Sequence, residues 1–201
     1  MAAKSFFAAF RKSATLSLMK EPLCFEDLRI GDRWASPSRT ITETDIVNFA
    51  CTTGDFDPLH VDHEFARRST YRQPIAHGLL GLSFLAGLSS RSPAMCNVAF
   101  VAICDWQFLK PLYVGDTISV VTIVNELQPQ GRRSGRVVWR RQLINQDGVV
   151  TQEGLLETLV ATRTSGIRDD GAAGRIPSPH VSSAAKTATH RKNDERSSNS
   201  K

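Results

Sequence analysis

The chain lacks the usual marks of a metal, disulfide or membrane protein. Its four cysteines, Cys24, Cys51, Cys96 and Cys104, include no C-x-x-C pair, and its five histidines form no ligand-rich cluster in sequence. That spacing excludes the common zinc frameworks and reads as incidental or buried thiols in a reducing compartment. No apolar run approaches the ~18 residues a membrane-spanning helix requires. The first twenty residues contain no acidic side chain. The C-terminal stretch is nearly empty of large apolar residues: after Ile176 only Val181 remains.

The formal charge of +5 is unevenly placed. Residues 1–23 carry Lys4, Arg11, Lys12 and Lys20 against Glu21, a net +3, and residues 164–201 are again +3. The middle, 24–163, holds fourteen basic and fifteen acidic residues, a net −1. Basicity therefore belongs to the ends. A nucleic-acid footprint needs a clustered patch on the fold, so nucleic acid is not an expected partner.

Three segments follow from this. Residues 1–23 form a basic arm with Phe6, Phe7 and Phe10 among Ser and Thr. It reads as an amphipathic arm on a cytoplasmic protein, the alternative being a mitochondrial-matrix presequence over 1–20. Residues 164–201 read as a disordered polar tail, too poor in apolar side chains to offset ordering entropy. Residues 24–163 are the folded domain.

Within that domain, Thr42-Glu43-Thr44-Asp45 is a capping-box-like start to a helix that should end near Gly54. Asp62 should cap a short helix over 62–69. The segment 77–90, HGLLGLSFLAGLSS, is apolar on every side and predicts a helix buried all round. Strands are predicted over 98–109, 116–127, 135–146 and 149–163, with Ile118, Val120 and Val124 on one face. Asp147-Gly148 signals a two-residue hairpin. Small helices, one buried helix and an antiparallel meander indicate an α+β domain, a sheet wrapped around one helix.

The chemistry concentrates in GDFDPLHVD, residues 54–62, where Asp55 and His60 flank Pro58 in a bend. Alone, either would be an ordinary loop residue. Seventeen residues after His60, His77-Gly78 opens the apolar helix. A helix start offers unpaired N–H groups and positive dipole character. An acid, a base and an oxyanion site are the parts needed to add water across a double bond beside a carbonyl. Gly78 could instead serve close packing. His77 reads as orienting the loop or capping the helix. Asp105, Trp106 and Arg140 read as strand-face residues, and Arg132 and Arg133 as a solvated turn or, alternatively, contacts to the phosphates of a ligand.

GDFDPLHVD followed by PIAHGLL resembles the MaoC-like family of (R)-specific enoyl-CoA hydratases and dehydratases, which has the hot-dog fold. The family motif is Asp, any residue, usually Asn, Pro, any residue, His, with a downstream His-Gly. The likeness runs over about 24–163 and includes DWQFLKPLYVGDTI, residues 105–118. One departure is Asp57, where the family often has Asn. This second carboxylate either repels Asp55, points into solvent or caps a turn.

The resemblance implies reversible hydration of a trans-2-enoyl-CoA to a (3R)-3-hydroxyacyl-CoA. It implies Asp55 and His60 as the catalytic pair, and Gly78 with His77 as the oxyanion and substrate-binding pair. It also implies no metal or redox cofactor, coenzyme A being part of the substrate, and a homodimer or higher homo-oligomer. A hot-dog thioesterase and a non-catalytic acyl-thioester-binding subunit are the alternatives.

Overall fold

A computed structural model describes residues 21–165. The expectations for the arm over 1–20 and for the tail beyond Ser165 lie outside the described residues. Elements in chain order are β1 (Arg33–Ala35), β2 (Arg39–Thr40), α1 (Glu43–Thr53), α2 (Pro58–Val61), α3 (His63–Arg68), α4 (Gly78–Ser89), β3 (Asn97–Phe108), β4 (Thr117–Gln130), β5 (Ser134–Ile144) and β6 (Val150–Ala161).

Local chemistry accounts for the helix ends. Thr42 Oγ1 accepts from the Asp45 N–H (3.2 Å), and Asp45 Oδ2 accepts from the Thr42 N–H (2.8 Å). This reciprocal cap satisfies two donors that α1 would otherwise leave bare. Gly54 ends α1 at φ +78°, in the left-handed region where a glycine carries no Cβ penalty. Asp62 Oδ1 accepts from the N–H groups of Glu64 and Phe65, at 2.9 and 3.0 Å, and starts α3.

The sheet order is β1-β4-β5-β6-β3, with β2 added to β4, and every pairing is antiparallel. Ile118, Val120 and Val124 are buried, and so are Ser119, Val121 and Thr122 between them, so this stretch of β4 is covered on both faces. Ile118 and Val120 join Leu143 and Leu156 in the cluster that packs against Leu80 and Leu85 of α4. A second cluster joins Val124, Val137, Trp139 and Val160 to Leu28. Fully burying a side chain such as Leu85 contributes about 1.5–3 kcal/mol.

Two expectations need correction. The β5–β6 turn is not a two-residue hairpin. The Asn145 N–H donates to the Val149 carbonyl and the Gly148 N–H to the Asn145 carbonyl, both at 3.0 Å, which leaves three residues in the loop. Gly148, at φ +77°, takes the left-handed position that closes such loops.

Among the described residues, helix α4 is also not covered on every side. Leu80, Gly81, Leu85 and Ser89 are buried, but Leu79 is 60% exposed. The sheet covers one face, and periodicity cannot say what covers the other.

The buried face of α4 meets an unusual core residue. Arg141 lies on β5 between Trp139 and Leu143 and is buried. Its Nη1 donates to Ser89 Oγ (2.8 Å) at the C-terminal end of α4, where the helix dipole favours a cation. Burial pulls its pKa down to about 10.

Candidate active site

Gly54 turns the chain out of α1, so Asp55 leaves the helix rather than continuing it. Asp57 Oδ1 accepts from the Leu59 N–H (2.8 Å) and caps α2, with Pro58 at its first position. Of the roles open to Asp57, this cap is what its geometry shows. The turn of α2 then carries His60 back over the strand of chain that leads into α4.

That chain is pinned on two sides. The Ile75 N–H donates to the Leu59 carbonyl (3.3 Å), and the Ala76 N–H donates to the Leu112 carbonyl (2.8 Å). His60 Nδ1 lies 2.7 Å from the Ile75 carbonyl. A carbonyl only accepts, so Nδ1 carries the proton and Nε2 keeps its lone pair. His77 Nε2 lies 2.9 Å from the Asp55 carbonyl and 4.0 Å from Asp55 Oδ2. By the same logic Nε2 of His77 is the protonated nitrogen. The two rings stack, with centroids 3.8 Å apart, and Phe49 packs on His77 with centroids 5.0 Å apart.

The structure thus brings Asp55, His60 and His77 together, with one polar atom of each within 4.8 Å of the others. Their environments differ. Asp55 keeps 52% of its side chain exposed, and His77 is buried. A metal ion would meet the wrong face of His77, because the nitrogen nearest the carboxylate already bears a proton. The set suits proton transfer better than it suits a cation.

Gly78 is the first residue of α4, and its N–H precedes the first helical hydrogen bond. It lines a cavity of about 300 Å³ together with His60, Tyr71, Phe108, Lys110 and Gln152. A Cβ at Gly78 would sit 2.9 Å from the Phe108 ring, so only glycine leaves this wall open.

Sequence reasoning missed Gln152. It is buried on β6, and its Nε2 donates to the Gly78 carbonyl (3.0 Å). A Cβ at Gly81 would lie 2.2 Å from that Nε2, so Gly81 leaves the space through which the amide reaches the helix start. No signal in one sequence singles out a glutamine that acts across a sheet.

Arg132 and Arg133 do not line this cavity. Arg140 pairs with Glu153 on the sheet (3.0 Å), in keeping with a strand-face residue. Among the described residues, no helix is long and apolar enough to cross a membrane.

Comparison with known proteins adds the following. The family described as MaoC like domain matches residues 29–146, more than half of the chain. An (R)-specific enoyl-CoA hydratase of Rhodospirillum rubrum is 31% identical over 140 residues, covering 69% of this chain and 92% of that protein. Protein MaoC of Klebsiella aerogenes is 38% identical over 96 residues, which are 48% of this chain and only 29% of that longer protein.

Among solved structures, a monoamine oxidase regulatory protein from Archaeoglobus fulgius superposes with a TM-score of 0.67 at 36% identity, covering 73% of this chain and 99% of the other. A Mycobacterium tuberculosis protein with a double hotdog fold gives 0.64 at 20% identity, over 84% and 53% of the two chains. The chain therefore belongs to the MaoC-like domain family, and its sheet wrapped around one helix is the hot-dog fold.

Proposed function

We propose that the chain catalyses the reversible hydration of a trans-2-enoyl-CoA to a (3R)-3-hydroxyacyl-CoA. The observation that carries this reading is that Asp55, His60 and His77 each bring a polar atom within 4.8 Å of the others, while His60 and the helix start at Gly78 line one cavity. Two relatives are named for this activity, which supports the reading without deciding the substrate.

In the proposed reaction, Asp55 and His60 hold one water over C3 of the enoyl group. His60 Nε2 takes a proton from the water as its oxygen attacks C3. The imidazolium, steadied by the Asp55 carboxylate, returns that proton to C2 on the same face. General acid–base help of this kind is worth roughly 10²–10⁴-fold. Negative charge gathers on the thioester oxygen, where the Gly78 N–H and the helix dipole receive it. One such donor is worth about 3–4 kcal/mol in comparable sites. His77 acts as a positioning residue: it holds the Asp55 peptide and does not touch the substrate. No step in this scheme calls on a metal or redox cofactor.

The working form is a homodimer paired through β3. Among the described residues this strand bonds only to β6, which leaves its other edge unpaired there. Val98, Phe100, Val101 and Ile103 on it are each 43–57% exposed. An open edge bearing this much apolar surface is a pairing face.

Incubation with crotonyl-CoA tests the assignment. Hydration removes the enoyl absorbance without releasing thiol. Free thiol would indicate a thioesterase, and no change at all would indicate a binding subunit.

A further inference from the structure

Two of the four cysteines meet, although neither their spacing nor their neighbours in sequence announce it. Leu23 and Met95 form a parallel bridge. The Leu23 N–H donates to the Ala94 carbonyl and the Cys96 N–H to the Leu23 carbonyl, both at 2.9 Å. One step along each segment, Cys24 and Cys96 stand side by side with their Sγ atoms 3.5 Å apart.

Paired strands run about 4.8 Å apart. That spacing falls inside the roughly 4.4–6.8 Å between Cα atoms that a disulfide spans. Both thiols are reduced and half-buried. The other two are placed differently: Cys51 is exposed on α1, and Cys104 on β3 faces Glu157 Oε1 at 3.9 Å.

We propose that Cys24 and Cys96 form a dithiol redox site that closes to an intramolecular disulfide by exchange with a low-molecular-weight disulfide such as oxidised glutathione. One cysteine thiolate attacks the external disulfide. It forms a mixed disulfide and releases one small thiol. The second cysteine loses its proton to solvent and attacks the protein-side sulfur, and the second small thiol leaves. The two protein thiols have then lost two electrons and two protons, and the external disulfide has become two thiols.

The surroundings set the rate and the durability of this step. Burial pushes the Cys24 thiol up to about 11, and Cys96 and Asp27 push the same way. Exchange through Cys24 is therefore slow at neutral pH and quickens as pH rises. A thiol of high pKa is also a poor leaving group, so the closed bridge resists reduction. The bridge would tie the 3₁₀ turn at Phe25–Asp27 to the residue just before β3, and Asp55, His60 and His77 all fall inside the loop it closes. A loop of this length restricts the unfolded chain substantially.

The test uses the full chain carrying Cys51→Ser and Cys104→Ser, held in oxidised glutathione at pH 8.5 and then quenched with acid. The expected result is a mass lower by two hydrogen atoms, a peptide joining Cys24 to Cys96, and a Tm higher by roughly 5 °C or more. Adding Cys24→Ser should abolish the cross-link and the Tm gain and leave one glutathione adduct on Cys96. The same joined peptide in the wild-type chain frees the result from dependence on the two serine substitutions. Persistent glutathione adducts on both cysteines, thiols that stay unreacted, or a cross-link that does not raise Tm would each overturn the proposal.

Discussion

His60 and His77 lie face to face with ring centroids 3.8 Å apart, yet each is turned to a different backbone carbonyl, that of Ile75 and that of Asp55. Stacked imidazoles could be taken for a redundant pair. Their hydrogen bonds give them separate work: His60, which lines the cavity, keeps the lone pair on Nε2, and His77 holds the peptide that carries the carboxylate.

Asp55→Asn and His60→Gln should each lower crotonyl-CoA hydration by roughly a hundredfold or more. Neither side chain holds the core, so Tm should stay within about a degree of wild type. Retention of a tenth of the activity by either variant would remove it from the proposed acid–base pair.

His77→Phe keeps an aromatic ring between Phe49 and His60 but deletes the donor to the Asp55 carbonyl. Asp55 is exposed, so the loss is that of one part-buried hydrogen bond, about 0.5–1.5 kcal/mol. Denaturant unfolding should show that loss. Activity should fall less than in His60→Gln, because the reacting lone pair is still present. A His77→Phe protein as stable as wild type would mean that the carbonyl finds water instead.

Two glycines of α4 should respond in opposite directions. Gly81→Ala drives a methyl group into Gln152 and Leu112 and should cost about 1–3 kcal/mol. It should also raise KM by displacing Gln152 from the Gly78 carbonyl. Gly87→Ala meets nothing within 4 Å and should stabilise the helix by up to about 1 kcal/mol. Thermal melts of the two variants decide this directly.

Arg141→Met should leave Tm unchanged or higher. The cation it removes is buried, has Ser89 Oγ as its hydrogen-bond acceptor, lies 5.7 Å from the centre of the Trp139 ring, and among the described residues makes no ion pair with a carboxylate. Replacing buried charge with an apolar side chain of similar length is often neutral or stabilising. A clear drop in Tm would show that the guanidinium has a counter-charge in the assembled protein.

The hydration product should be the R enantiomer. If Asp55 and His60 grip one water, and Gly78 pins the thioester oxygen, oxygen reaches C3 from one face only. Coupling the product to dehydrogenases specific for each 3-hydroxyacyl enantiomer reads the outcome. An S product, or a racemate formed before equilibration, would reject the one-water geometry.

What the sequence disclosed was mostly local. The Thr42–Asp45 box, the stop at Gly54 and the Asp62 cap each depend on residues within a few positions of one another, and all three appear in the structure. The pairing of Asp55 and His60 with His77-Gly78 was legible through the family motif.

Hidden features were those that depend on what lies across a gap. The length of the Asn145–Val149 loop depends on cross-strand register. The open face of α4 depends on how far a single sheet can curl. Gln152 and the Cys24–Cys96 pair come together only once distant strands align, and no spacing rule encodes that.

The alignment of β1 also sets an order in time. Arg33 of β1 pairs with Ile123 of β4, ninety residues on, and the whole site segment lies between them. α1 and α2 can coil early from local bonds, but they have no fixed place until that distant ladder closes. Closing so long a loop is an entropic barrier that local contacts cannot offset. Trp34 on β1 and Trp139 on β5 then meet edge to face, with ring centroids 6.5 Å apart. During refolding, the tryptophan signal should therefore mature before, and never after, the first catalytic turnover.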